Sequence, residues 1–194
     1  MSTVAQPRTD RWSGIFAFVL AAVFAAFLVA PQTAHAQATG KPHLLLELKG
    51  GTVDIELLPE LAPKHVERIT TLANQGFYNG VVFHRVIEGF MAQTGDPTGT
   101  GMGGSDLPDL QAEFSDEPHV RGVLSMARSQ DPNSANSQFF ICLDDASYLN
   151  GQYTVFGRVV AGMEFVDAIK KGNSAANGQV KDPDQIVSAK VETR

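Results

Sequence analysis

The sequence predicts a mainly β domain of the sandwich or barrel class, with two helices left to cover its ends. Short apolar or alternating stretches recur from about residue 43 onward, and glycine, proline or asparagine turns close most of them. Only two stretches have the spacing of three and four residues that is typical of an amphipathic helix. The sequence contains no internal repeat, heptad run or low-complexity linker, which predicts a single domain.

Composition excludes several classes of function. The chain has 194 residues, a formal charge of -6 and a hydrophobic content of 43%, which is enough for a substantial core. Acidic residues outnumber basic ones and no run of lysine or arginine exceeds two, so binding to nucleic acid is not expected. Cys142 is the only cysteine, which excludes an intramolecular disulfide and a cysteine metal cluster. The chain is expected to act as a monomer.

The first 36 residues have the pattern of a secretory signal peptide. Two arginines precede an unbroken apolar run of sixteen residues, 15–30, and Ala34-His35-Ala36 forms a small-x-small cleavage pattern. We predict cleavage after Ala36 and export to the periplasm. The alternative is a retained membrane anchor, but a membrane span needs roughly 20 apolar residues. No stable membrane insertion is therefore expected after cleavage.

The mature chain is predicted to begin with a short leader, a hairpin and a helix. The leader covers residues 37–42, and the domain covers 43–194. Strands are predicted over 43–49 and 52–57, joined by a turn at two consecutive glycines. A helix should follow Pro63, because apolar residues recur at intervals of three and four up to Ala73.

Six further strands and one short helix are predicted in the remainder of the chain. The helix covers residues 163–170 and is followed by a glycine that favours its end. Alternating or short apolar runs indicate the strands, and turn residues separate most of them. These strands cover residues 81–87, 90–94, 120–127, 138–143, 153–159 and 185–192.

A glycine-rich segment, residues 99–104, matches the spacing of the dinucleotide-binding fingerprint. That fingerprint must open a helix, and the next four residues end in Pro108 and form a poor helix. We interpret the segment as a flexible loop and expect no cofactor. The histidines lack metal-site spacing and no nucleophile motif is present, so an enzyme of this sequence would work without metal, cofactor or covalent intermediate.

Two stretches contain candidate binding residues. Arg85 lies in the middle of an apolar run, and its guanidinium needs hydrogen-bond partners or water. It is either part of a shallow binding pocket or an ordinary arginine at a sheet edge. In the second stretch Gln138 and Phe140 share one face of a strand by the period of two, whereas Phe139 and Ile141 are expected in the core.

Together these stretches resemble the cyclophilins, a family of peptidyl-prolyl cis-trans isomerases. Three motifs occur in the family order across residues 43–192, and the compact N-terminal half is similar to small bacterial members. The motifs are Phe83-His84-Arg85 with Gly89-Phe90-Met91-x-Gln93-x-Gly95-Asp96, then Ser125-Met126-Ala127 and Ser137-Gln138-Phe139-Phe140-Ile141, then Val155-Phe156-Gly157-Arg158-Val159-x-x-Gly162-Met163.

The resemblance implies a closed eight-stranded antiparallel barrel capped by two α-helices, with a substrate groove on the outer wall of the barrel. It implies catalysis of X–Pro bond rotation during the folding of exported proteins, with proline-containing peptides and unfolded exported proteins as partners. A second interpretation remains open, in which the domain is a proline-binding chaperone module that does not need turnover.

Residue by residue, the resemblance implies that Arg85 is catalytic. It implies an apolar proline pocket, a glutamine that contacts the substrate backbone, and a neighbouring part of the groove. The implied substrate-binding residues are Phe90, Met91, Gln93, Ala127, Arg128, Gln138, Phe140, Leu149 and Tyr153. The chain departs from well-studied eukaryotic members at Tyr148, where they have a tryptophan tied to cyclosporin binding. Only weak cyclosporin binding is therefore expected.

Overall fold

The structure, a computed structural model, describes residues 40–194. The predicted signal peptide and residues 37–39 of the predicted leader lie outside the described residues. Among the described residues, no helix has the length and apolar character needed to cross a membrane.

Eight strands and two α-helices form within this range, as the sequence predicts. The first strand pair is a hairpin whose turn residues are Lys49 and Gly50. The elements are β1 Pro42–Leu48, β2 Gly51–Leu57, α1 Pro63–Asn74, β3 Arg85–Ile87, β4 Met91–Thr94, β5 Val123–Met126, β6 Phe139–Cys142, β7 Val155–Ala161, α2 Met163–Asp167 and β8 Ser188–Thr193. Two short 3-10 helices cover Ser147–Leu149 and Ser174–Ala176.

The strands form one antiparallel sheet in the order β3-β4-β6-β5-β7-β2-β1-β8. The sheet curls into a half-barrel, and the prediction of a closed barrel was overstated. Its end strands β3 and β8 do not pair with each other in the described residues. Instead, the segments that lead into them make isolated backbone contacts, including a bridge between Val82 and Gln185.

The strand predicted over residues 81–87 is shorter than expected. Only its last three residues pair with β4, with Arg85 opposite Gln93 and Ile87 opposite Met91. The earlier residues bond to a distant segment, since the Phe83 N–H donates to the Asp184 carbonyl at 2.9 Å. As a result, Arg85 stands at the first position of an end strand, where its side chain can reach the outer face of the sheet.

Each central strand contributes side chains to two apolar clusters on opposite faces of the sheet. On β6, Phe139 and Ile141 point into the main core, as predicted, and Phe140 and Cys142 point outward. The main core holds the large aromatic side chains of Phe83, Phe139 and Phe156. The outer cluster consists of Leu58, Met91, Val123, Phe140, Cys142, Ala146, Leu149 and Val155.

Both helices pack on the main core. Helix α1 has a proline in its first turn, buries Val66, Ile69 and Leu72, and is followed by Gly76 in the left-handed region at φ 74. Helix α2 is shorter than the predicted 163–170 and ends at Asp167. The helices thus cover the core, and the outer cluster on β4 and β6 stays available for a site.

Candidate active site

A cavity of about 230 Å³ lies on the outer face of the sheet, above β4 and β6. Nine of the ten predicted site residues line it, and the tenth, Gln138, lies beside it. The lining residues are Arg85, Phe90, Met91, Gln93, Ala127, Arg128, Phe140, Leu149 and Tyr153. Residues separated by 68 positions in the chain therefore meet at one place, and the grouping matches the set implied by the resemblance.

The floor of this cavity is apolar, and polar side chains stand around it. Met91 from β4 and Phe140 from β6 are almost fully buried beneath it. Phe140 meets the Tyr153 ring edge-on, with the ring centroids 6.0 Å apart, and Phe90 packs against Tyr148 at 5.6 Å. Such a surface suits a small apolar group like a pyrrolidine ring, because it offers close contact on several sides.

Arg85 places one of the two guanidinium groups at this cavity. Its Nη1 donates to the Gln93 Oε1 at 3.1 Å and lies 3.9 Å from the Met91 sulfur. Its Nε and Nη2 donate to the backbone and side-chain oxygens of Asn177, both at 3.1 Å. Burial lowers the pKa of Arg85 from its ordinary value, but a guanidinium remains charged throughout the physiological range.

Two glutamines continue the chain of hydrogen bonds from Arg85 to the glycine-rich loop. The Gln93 Nε2 donates to the Gln138 Oε1 at 2.9 Å, and the Gln138 Nε2 donates to the carbonyls of Gly101 and Gly103 at 3.1 and 2.8 Å. Since each amide oxygen accepts and each amide nitrogen donates, both side chains have a defined orientation. The chain of bonds fixes Gln93 between the cation and the loop.

A second cavity of about 500 Å³ adjoins the first one and is largely polar. Gln93, Ala127 and Arg128 line both cavities, and Gln138 belongs to the second. The glycine-rich segment 99–104, which was predicted to be a loop, forms one wall. The two cavities together form a groove long enough for more than one residue of a peptide.

The carboxylate of Asp96 holds the glycine-rich wall in shape. It accepts from the backbone N–H groups of Thr98, Gly101 and Gly103 at 2.7, 2.6 and 3.1 Å. Burial alone would raise the pKa of Asp96, but these bonds and the Thr98 hydroxyl outweigh it and lower the pKa well below its ordinary value. The carboxylate therefore stays charged and keeps the loop closed around it.

Arg128 forms part of the wall between the cavities. Its guanidinium carbon lies 4.4 Å from the centroid of the Tyr153 ring, a cation–π distance. Its N–H groups donate to the carbonyls of Gln152 and Ser129, at 2.9 and 2.8 Å for the shortest bonds. These contacts hold the guanidinium over the Tyr153 ring, so Arg128 shapes the groove.

Two residues near the cavity were missed by the sequence reasoning. Asn177 bonds to Arg85 from a position 92 residues away, and the intervening sequence has no pattern that would indicate the contact. The buried ring of His119 stacks under Phe140 at 6.3 Å between ring centroids and bonds to Ser125 and Asn150. Within residues 40–194, no cluster of three or more histidine, cysteine or acidic side chains could hold a metal ion.

Comparison with known families matches residues 43–191 to the family described as "Cyclophilin type peptidyl-prolyl cis-trans isomerase/CLD". The chain belongs to this family. The predicted cyclophilin family and isomerase enzyme class are confirmed, and the match includes all or most of every strand of the half-barrel. The groove described above is therefore the candidate active site of a cyclophilin.

Similar proteins support this assignment over most of the chain. A "Probable peptidyl-prolyl cis-trans isomerase" of Brucella suis biovar 1 is 56% identical over 187 residues, covering 91% of this cyclophilin and 95% of the relative. A "Peptidyl-prolyl cis-trans isomerase-like 1" of Aspergillus fumigatus is 44% identical, covering 73% and 89%. A crystal structure of a Cryptosporidium parvum cyclophilin in the presence of the dipeptide Ala-Pro has 31% identity and a TM-score of 0.72, covering 78% and 99%.

Proposed function

We propose that this cyclophilin accelerates X–Pro bond rotation by holding the proline ring in the 230 Å³ cavity while Arg85 stabilises the twisted amide. The observation that carries the proposal is the position of Arg85, whose Nη1 faces Gln93 and Met91 at the edge of a cavity with an apolar floor. The crystallised relative with Ala-Pro supports a proline-containing peptide as the ligand.

The chemistry needs one directed cation and no cofactor. Amide resonance sets a barrier of about 20 kcal/mol to rotation about the X–Pro bond. Midway through rotation resonance is lost, so the proline nitrogen becomes pyramidal and carries a localised lone pair. A donor aimed at that lone pair binds the twisted state more strongly than either planar state. Because the twisted state is the transition state, this stronger binding lowers the barrier and raises the rate. Arg85 is always charged and supplies such a donor.

Gln93 has the complementary role in this mechanism. Its oxygen accepts from Arg85 and its nitrogen donates to Gln138, so its orientation is fixed before a substrate arrives. A polar group placed in advance loses little free energy to reorganisation when the peptide binds. We assign Gln93 to contact with the substrate backbone next to proline, and Phe90, Met91, Phe140 and Leu149 to the proline ring.

The test is the exchange of an Ala-Pro peptide between cis and trans, measured by NMR with the purified protein and with Arg85→Ala. Loss of a preorganised donor should lower the catalysed rate by about 10²–10³. Arg158→Ala is the matched control, because Arg158 lies exposed on β7 and pairs with Glu56 at 3.5 Å, away from the groove. Full activity of a folded Arg85→Ala protein would refute the mechanism.

The same measurement separates catalysis from binding alone. A proline-binding chaperone module would bind the peptide without accelerating its exchange, in the parent protein as well as in Arg85→Ala. In that case Arg85→Ala would also continue to promote the folding of a client protein. Accelerated exchange in the parent protein would show that the domain is not only a proline-binding module.

The proposed clients are unfolded exported proteins in the periplasm. This part of the proposal rests on the signal-peptide pattern of residues 1–36. Fractionation of the source cells and the mass of the mature N-terminus test it: a periplasmic protein that begins at Gln37 is expected. A protein retained in the membrane at its full mass would contradict it.

For cyclosporin we propose weak binding, since the exposed Tyr148 takes the place of the tryptophan.

A further inference from the structure

Asn177 has an unusual backbone conformation and a direct contact to Arg85. It follows the 3-10 helix Ser174–Ala176 and lies in the left-handed region at φ 52. Asparagine tolerates this region better than most residues, because its short polar side chain can bond locally. Two oxygens of Asn177, one from the backbone and one from the side chain, accept from Arg85 at 3.1 Å each.

These two bonds fix one edge of the guanidinium. The backbone oxygen accepts from Nε and the side-chain oxygen accepts from Nη2. Because the guanidinium is planar, two bonds along one edge determine the direction of the remaining nitrogen, Nη1. That nitrogen faces Gln93 and Met91 at the cavity. Asn177 itself does not line the cavity, so its effect on a bound peptide must pass through Arg85.

The segment around Asn177 is fastened to the strand that carries Arg85. The Val86 N–H donates to the Gly178 carbonyl at 2.8 Å, and the Gly172 N–H donates to the Val86 carbonyl at 2.9 Å. Gly178 has φ 78, and a Cβ there would lie 2.4 Å from the Ile87 side chain, so the close approach needs glycine. The backbone of Asn177 is therefore held close to β3.

We propose that Asn177 is a positioning residue that aims the Arg85 guanidinium at the substrate. The inference rests on the proposed function of Arg85. An arginine side chain has many rotamers, and those that turn Nη1 away from the cavity contribute nothing to the twisted state. By occupying Nε and Nη2, Asn177 selects the productive rotamer before the peptide binds. The expected consequence of losing the side chain is slower turnover with little change in peptide affinity.

The substitution Asn177→Gly tests this step with little disturbance of the backbone. Glycine adopts φ 52 without strain, so the backbone oxygen can remain as acceptor and only the side-chain oxygen is lost. Asp182→Gly is the matched control, because Asp182 is the other non-glycine residue with positive φ in residues 40–194, at 51, and is exposed away from the groove.

NMR exchange of an Ala-Pro peptide at saturating concentration gives the turnover, and a titration gives the peptide Kd. Asn177→Gly should lower turnover by about tenfold and change the Kd by less than about twofold. Rotation of the Arg85 Nη2 group about its Cζ–Nη2 bond, followed by NMR in the same samples, should become faster, because Nη2 has lost its acceptor. Asp182→Gly should leave turnover, Kd and the Arg85 signal at the parent values.

The double variant Arg85→Ala with Asn177→Gly decides whether the effect passes through Arg85. It should be no slower than Arg85→Ala alone, because the positioning residue then has nothing to position. A further loss in the double variant would overturn the inference. Parent turnover in Asn177→Gly together with a slow Arg85→Ala would overturn it and leave the proposed function standing. Full activity of Arg85→Ala would remove the proposed function and this inference with it.

Discussion

At the residue scale, the proposed mechanism requires no proton transfer at its cationic donor. Arg85 stays charged across the accessible range even though burial lowers its pKa. Two buried histidines are connected to the groove: His84, the neighbour of Arg85 in sequence, and His119 beneath Phe140. Burial lowers the pKa of both imidazoles, so they are neutral at and above neutral pH. Neither imidazole therefore changes its charge at or above neutral pH.

The catalysed exchange rate should therefore be flat between about pH 6 and 9. We expect the rate for an Ala-Pro peptide, measured by NMR at constant ionic strength, to vary by less than about twofold over this range. The uncatalysed rate of the same peptide is the baseline at each pH. A steep or bell-shaped profile would indicate a titrating general acid or base and would count against an arginine donor.

Seven of the ten predicted groove residues lie in the three sequence motifs and were predictable for that reason, and the other three were implied by the family resemblance alone. Nine of ten residues predicted for the site line one cavity. The geometry that orients them was not predictable, and Asn177 shows the reason. Its contact to Arg85 joins positions 92 residues apart and depends on a left-handed backbone, which no hydrophobic period indicates. His119 was missed for a similar reason, since its stacking partner Phe140 lies on another strand.

At the element scale, the start of helix α1 is stabilised from a distant loop. Ala62 occupies the N-cap position and has no side chain that could accept a hydrogen bond. Glu113 replaces the local cap, because its carboxylate accepts from the backbone N–H groups of Lys64 and His65 at 3.1 Å. The same carboxylate bonds the His65 Nδ1 at 2.7 Å. A negative charge at this end also interacts favourably with the helix dipole.

Glu113→Ala should lower the free energy of unfolding by about 1–2 kcal/mol, since it leaves helix N–H groups and a buried imidazole without their acceptor. Urea unfolding followed by circular dichroism measures the change. Glu67→Ala is the control on the same helix, because Glu67 is exposed and lies 3.9 Å from Lys64. Its effect should stay below about 0.5 kcal/mol. Equal losses in the two variants would show that Glu113 is an ordinary surface carboxylate.

The boundaries of an element were predictable where residues close in sequence determine them. Helix α1 and the β1–β2 hairpin occur within about one residue of their predicted positions, because apolar spacing and turn residues determine them. Residues 81–83 have the same apolar character as a strand, yet they pair irregularly with residues 184–186. The partner of an apolar run cannot be deduced from the run itself, so the predicted barrel closure was overstated.

At the scale of the whole molecule, the central strands serve the core and the groove together. Alternate residues of β6 enter the main core and the outer cluster, so Phe139 and Phe140 stabilise opposite faces of one strand. Substitutions beneath the groove therefore affect both stability and activity. Of the histidines in residues 40–194, His65, His84 and His119 are buried, each with at most 6% of its surface exposed.

These histidines should make the fold sensitive to mild acid. Burial lowers the pKa of all three below the value of about 6.5 that an unfolded chain would show. The unfolded state then binds more protons than the native state once the pH falls below about 6.5, so stability is complete above that pH and decreases below it. Each histidine contributes a slope of at most about 1.4 kcal/mol per pH unit. The carboxylates with lowered pKa values, such as Asp96, affect stability only below about pH 5.

Urea unfolding at intervals between pH 7.5 and 5 measures this dependence. We expect a nearly constant free energy of unfolding above about pH 7.5 and a decrease that steepens as the pH falls through about 6.5, where it corresponds to more than one proton. His119→Gln should retain a bond to Ser125 or Asn150 and reduce the slope by up to one proton. A free energy that stays constant to pH 5, or a slope that His119→Gln leaves unchanged, would mean that the imidazoles accept protons inside the native fold. Their burial would then not exclude charge, and the flat activity profile predicted above would lose its physical basis at the acidic end.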